Sequence, residues 1–149
     1  MSSRLSRIEL FYEIARLYGR RSSCPRADVG VIAIRDGRIT AAGYVGAPQG
    51  MPHCLDVGCL IEGGGCVRSV HAEANMVAWA AREGISLKGT NVFCTHLPCL
   101  ACAKLLANAG IASLHYENSY RDNRGGALLQ DMGITISRLI MRPFHESRS

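Results

Sequence analysis

The chain predicts an α/β fold around a mixed sheet, and three observations carry that expectation. An amphipathic pattern opens the chain, and an apolar hairpin follows it. From residue 70 onward, helical patterns alternate with short apolar runs. Such alternation after a hairpin packs helices against a sheet with both antiparallel and parallel neighbours.

Leu5, Ile8, Leu10, Phe11, Ile14, Ala15, Leu17 and Tyr18 recur near helical spacing, with Arg7, Glu9, Glu13 and Arg16 largely between them. That predicts the first helix. Val29 to Ile34 reads as a short apolar strand, Arg35-Asp36-Gly37-Arg38 carries an Asp-Gly turn signal, and Ile39 to Tyr44 makes the return strand. Gly43 to Gly65 breaks the pattern, with seven glycines, two prolines, two cysteines and no periodicity. A loop that long inside a compact domain is functional or pinned. Val70 to Arg82 predicts a helix with His71, Asn75, Ala78 and Arg82 on one stripe, stopped at Gly84. Asn91 to Thr95 is a strand, Cys99 to Asn108 a helix ended at Gly110, and Ile111 to Tyr116 a strand. Ala127 to Met132 is a short helix ended at Gly133, and Ile134 to Ile140 is the last strand.

The 149 residues make one domain, 1–149, and 48% hydrophobic content suffices for a full core. The apolar runs are too short to cross a bilayer. The opening Met1-Ser2-Ser3-Arg4-Leu5-Ser6-Arg7-Ile8-Glu9 lacks an apolar signal region. Arg20-Arg21 is followed by polar Ser22, Ser23 and Cys24 rather than a hydrophobic stretch, so it is no export signal. A cytoplasmic protein is expected. Seven cysteines in a reducing compartment are metal ligands or buried thiols rather than bridges. The formal charge is +5, with fifteen Arg against two Lys. Four thiolates around zinc would reduce it to about +3. The arginines are scattered, which argues against a nucleic-acid surface.

His71-Ala72-Glu73 and Pro98-Cys99-Leu100-Ala101-Cys102 carry the chemistry. Catalytic zinc takes three protein ligands and leaves one position open. Pro98 favours a helix start, which puts Cys99 and Cys102 on a first turn, where exposed N–H groups favour thiolates. His71 begins the neighbouring helix. Zinc held by these three would bring the pKa of a bound water toward roughly 7. Glu73, two residues from a ligand, would take the proton of that hydroxide-forming water. It would deliver the proton to ring N3 as oxygen attacks C4, then protonate the departing amine. The H-x-E…P-C-x-x-C pattern is a signature of zinc-dependent base deaminases. A redox pair at Cys99 and Cys102 with a core histidine at 71 is the plainer alternative, and the strand–Pro–Cys–helix context opposes it.

With those residues in place the chain resembles the deoxycytidylate (dCMP) deaminases of bacterial and phage type, including the ComE operon deaminases. The resemblance runs through residues 43–48, 53–59, 66–75, 84–90 and 95–104. It implies the cytidine deaminase-like three-layer α/β/α sandwich around a five-stranded mixed sheet, and conversion of dCMP to dUMP. It also implies a homo-oligomer (dimer or hexamer) and, in some members, dCTP and dTTP as effectors. It implies a second, structural zinc, for which Cys24, Cys54, Cys59 and Cys66 are candidates, with His53 as an alternative ligand. The clustering of four thiols about an aperiodic loop agrees with a closed site. Cys94, inside an apolar strand, reads as core, as does Met76.

Substrate contacts are expected from Val45, Gly46, Ala72, Thr95 and Pro98. Arg26, Tyr120, Arg121 and Arg124 are candidates for a phosphate. Two residues depart from the family. Many members carry Asn where this chain has Val45, and valine can neither donate nor accept. Lys, Arg or Gln is common where this chain has Asp28, and an aspartate there would repel a phosphate it faced. Trp79 and Arg82 are candidates for a subunit contact. The alternatives are deamination of cytidine, deoxycytidine, a 5-modified cytosine nucleotide or another aminated heterocycle, and editing of a base in tRNA or DNA. A non-enzymatic zinc module would have no use for Glu73.

Overall fold

A computed structural model describes residues 4–141. Met1, Ser2, Ser3 and residues 142–149 lie outside the described residues, and with them both ends of the expected 1–149 domain. Helix α1 (Arg7–Gly19) starts at Ser6. The Ser6 hydroxyl accepts from the Glu9 N–H at 3.2 Å and the Glu9 carboxylate accepts from the Ser6 N–H at 2.7 Å, a reciprocal cap. Strands β1 (Gly30–Arg35) and β2 (Arg38–Tyr44) form the expected hairpin, with Asp36 and Gly37 both at positive φ as its tight turn requires. The segment without periodicity folds into α2 (Cys54–Val57) and a small antiparallel pair, β3 (Ile61–Glu62) and β4 (Gly65–Cys66). Then come α3 (Ala72–Glu83), β5 (Asn91–His96), α4 (Leu100–Ala109), β6 (Ser113–Asn118), α5 (Arg124–Asp131) and β7 (Thr135–Arg138).

The main sheet has the order β2-β1-β5-β6-β7. Strand β1 is antiparallel to β2 and β5, while β5, β6 and β7 run parallel. Alternation along each strand sorts the core into two layers. On one face Phe11, Tyr12 and Ala15 of α1 pack on Ile32, Ile34 and Phe93. On the other, Val31, Ala33, Val92, Cys94 and Leu114 meet residues of α3, α4 and α5, including Met76, Leu106 and Leu129. The three-layer α/β/α sandwich around a five-stranded mixed sheet is therefore present.

Two close approaches fix the helices that frame the site. A Cβ on Gly43 would lie 2.4 Å from the Ala72 carbonyl oxygen, so only glycine lets β2 run against the start of α3. A Cβ on Gly125 would lie 2.3 Å from the Pro98 carbonyl oxygen, so α5 leans on the loop that opens α4. This contact explains why α5 begins at Arg124 rather than Ala127. Two glycines weaken the helical signal in sequence, and packing restores it. No helix among the described residues is long and apolar enough to cross a membrane.

Candidate active site

Two of the expected ligand residues sit where two helices begin. His71 is the N-cap of α3 and Cys99 the N-cap of α4, with the Cys102 N–H directed at the Cys99 sulfur at 3.5 Å. The His71 Nδ1 lies 3.6 Å from the sulfurs of both Cys99 and Cys102. Tetrahedral zinc with ordinary Zn–N and Zn–S bonds separates such atoms by about 3.6 Å. The donor set and its spacing fit a zinc ion. Contact with Cys102, then with His71, pulls the Cys99 thiol down to about 4, and Cys99 in turn raises His71. Contact with Cys99, then burial, raises the Cys102 thiol well above its ordinary range.

Glu73 is the second residue of α3 and only 4% exposed. Burial raises its carboxyl above the usual range. It lines a cleft of about 500 Å³ together with His71, Ala72, Val45 and Cys99. The cleft opens beyond the carboxyl ends of β5 and β6, beside the point where the sheet changes from antiparallel to parallel pairing. Crevices at such reversals are where α/β proteins hold ligands. Arg26, Asp28, Ser69, His96, Ser119, Tyr120 and Arg121 give its walls their polar character. An Arg26 guanidinium N–H donates to the Gly64 carbonyl at 2.9 Å, which ties the β3–β4 turn to the cleft wall. Arg121 lies over the Tyr120 ring at 5.7 Å.

A second cluster lies along the same wall. The sulfurs of Cys24, Cys54, Cys59 and Cys66 all lie within 4.8 Å of one another. Cys24–Cys59 is 3.7 Å and Cys54–Cys66 is 3.5 Å. Four thiolates around one zinc stand about 3.8 Å apart, so this set fits a closed tetrahedral site. His53 is not part of it. Its Nδ1 lies 2.6 Å from the Ser23 hydroxyl, so four cysteines form the cluster without an imidazole. Backbone N–H groups led by Ser69 bring Cys66 down to about 5, while burial pushes Cys54 up to about 12.

Residues 5–118 match the family described as the cytidine and deoxycytidylate deaminase zinc-binding region. The chain belongs to this deaminase family. The deaminase is 34% identical over 137 residues to ComE operon protein 2 of Bacillus subtilis, a match covering 91% of this chain and 72% of that protein. It is 32% identical over 133 residues to the deoxycytidylate deaminase of Saccharomyces cerevisiae, covering 85% of this chain and 42% of that enzyme. The crystal structure of the dCMP deaminase from cyanophage S-TIM5, in complex with dCMP and dUMP, aligns with a TM-score of 0.81 at 34% identity. That match covers 89% of this chain and 96% of the phage chain.

Of the substrate contacts expected from sequence, Val45, Ala72, Arg26 and Tyr120 line the deaminase's cleft. Gly46, Thr95 and Pro98 are engaged elsewhere. The Gly46 N–H and carbonyl pair with Val70, the Thr95 hydroxyl accepts from the Gly30 N–H at 3.2 Å, and Pro98 is fully buried. Arg124 is taken up by Asp122 at 2.6 Å. Asp28 and Arg121 do reach the cleft. Trp79 is 47% exposed with Arg82 over its ring at 5.9 Å, and Met76 is fully buried. Sequence reasoning missed His96, Ser69 and Ser119. Their place at the ends of strands and loops leaves no periodic signal.

Proposed function

We propose that this deaminase converts dCMP and water to dUMP and ammonia. The observation that carries the reading is the triangle of His71, Cys99 and Cys102 with buried Glu73 beside it, opening into a cleft of nucleotide size. The chemistry zinc supplies when bound there is activation of water near neutral pH.

Glu73 takes one proton from the attacking water and delivers it to ring N3. It then carries the second proton, from the oxygen now bonded to C4, to the departing amine as the C4–N bond breaks and the carbonyl forms, so it is an anion at the start and again at the end. Its burial suits both steps, because an acid with a raised pKa accepts and returns a proton readily near neutrality. Val45 and Ala72 offer apolar contact to the base. Arg26, with Arg121 and Tyr120 across the cleft, supplies cations and a hydroxyl for the phosphate. Exposed Asp28 shares the wall with Arg26 and disfavours added negative charge beside it. Cys24, Cys54, Cys59 and Cys66 would hold a structural zinc, which would pin residues 54–66 against the cleft. We further propose a single-domain protein of the cytoplasm, on its length and composition, and a homo-oligomer with dCTP and dTTP as candidate effectors, on the family resemblance.

The test is ammonia release from dCMP, CMP, deoxycytidine, a 5-methyl dCMP and dCTP, with zinc counted per chain. Turnover is expected to be fastest on dCMP, with two zinc ions bound. No turnover of any cytosine nucleotide by zinc-loaded protein would overturn the reading. Turnover confined to the nucleosides would move the substrate class and leave the reaction standing.

A further inference from the structure

Cys94 is the one cysteine outside both clusters. It lies on β5, opposite Val31 of β1 and Tyr116 of β6, with its side chain among the residues that meet α3 and α4. It is fully buried, as Glu73 nearly is, and its sulfur stands 3.6 Å from the Glu73 Oε1. Burial, reinforced by the Glu73 charge, keeps this thiol protonated, so the S–H is the donor and the carboxylate the acceptor.

From this contact, and on the function proposed above, we infer that Cys94 is a positioning residue for the proton shuttle. Its S–H holds one carboxylate oxygen of Glu73 from beneath and leaves the other to face the cleft. A carboxylate that must both take and release a proton needs a fixed direction without a strong donor pinning its anionic form. A thiol is a weak donor, so it steers the group at little cost to its basicity. An alkyl side chain at 94 would fill the same core and remove this donor, which frees the rotation of the carboxylate.

Two measurements test this. Cys94→Ala removes the donor and leaves a small void in the core, and Cys94→Ser restores an O–H in nearly the same volume. In Cys94→Ala we expect kcat on dCMP to fall about tenfold with KM and zinc content unchanged. Cys94→Ser should recover most of the loss. Equal losses in both variants, or an unchanged kcat in Cys94→Ala, would overturn the inference. The second reading needs no turnover and no variant of uncertain folding as its reference. The infrared S–H stretch isolated by the difference between wild type and Cys94→Ala should lie at lower frequency than the same band in the Glu73→Ala background, which has no acceptor there. An identical band in both backgrounds rejects the contact even if both enzymes are active. Conversely, a wild-type chain that deaminates no cytosine nucleotide overturns the proposed function, while the band still decides whether the thiol holds the carboxyl.

Discussion

The two sulfur clusters share a wall of the cleft and differ in how they are held. His71, Cys99 and Cys102 stand at the first turns of two helices whose starts are fixed by the backbone approaches at Gly43 and Gly125. Cys24, Cys54, Cys59 and Cys66 stand on loops, a one-turn helix and a two-residue strand, which have little core of their own. The trio keeps an exposed imidazole toward the cleft, and the quartet buries Cys24 and Cys54. On the function proposed above, three ligands on stiff supports would leave a face open for chemistry, and four ligands on slack supports would use an ion to shape the chain.

The sharpest way to break this contrast is to damage each cluster in turn. His71→Ala and Glu73→Ala should each lower dCMP turnover by about 10³-fold or more while the thermal midpoint stays put. The Glu73 variant should keep its full zinc content. A large loss of stability in either variant would mean that the trio is structural as well. Cys54→Ala should do the reverse. It should lower unfolding stability by about 3 kcal/mol or more and release one metal ion, as unfolding curves with metal analysis would record. Should this variant stay stable, the quartet is not what folds residues 54–66.

A region remote from both clusters gives a metal-independent baseline. The Tyr12 hydroxyl and the Arg16 Nη2, which donates to both carboxylate oxygens, clasp Glu117 and tie α1 to β6. Burial would raise the Glu117 carboxyl, but these two partners outweigh it and hold it below the usual range. Its native pKa is therefore the lower one. Its stabilisation is complete above the unfolded carboxylate range near 4.3 and is lost as pH falls through the native value. Glu117→Gln should cost about 1–2 kcal/mol at pH 7 and progressively less as the pH falls through that window, with zinc content unaltered. A cost that is constant with pH would refute the linkage. The smallest effect belongs to the cleft mouth. Asp28→Asn should lower KM for dCMP about two- to threefold at low salt, with kcat unchanged and the gain fading as salt is raised. A raised KM would mean that Asp28 accepts a hydrogen bond from the substrate.

The trio was readable because a strand and Pro98 precede the helix that carries Cys99 and Cys102, and His71 stands at the start of a separate helix. The hairpin was readable from Asp36-Gly37 alone. The small β3–β4 pair was not, since two-residue strands carry no alternation and depend on cross-chain links, the Cys54–Cys66 contact and the Arg26–Gly64 hydrogen bond. Cys94 was legible only as core. Period-two alternation turns it inward, but only the packing of α3 on β5 sets it against Glu73. Thr95 illustrates the converse. It borders the cysteine loop in sequence, yet its hydroxyl faces the Gly30 amide at the back of the strand.

Cys24 and Cys66 belong to the quartet and also line the cleft. That double membership constrains how such an enzyme can be redesigned. Enlarging the mouth at either position forfeits a thiol of the quartet, so that side of the entrance is closed to gradual tinkering. New substrate preferences have to be written on the opposite bank, at Ser119, Tyr120 and Arg121, and at Asp28, where side chains can be exchanged without undoing the knot.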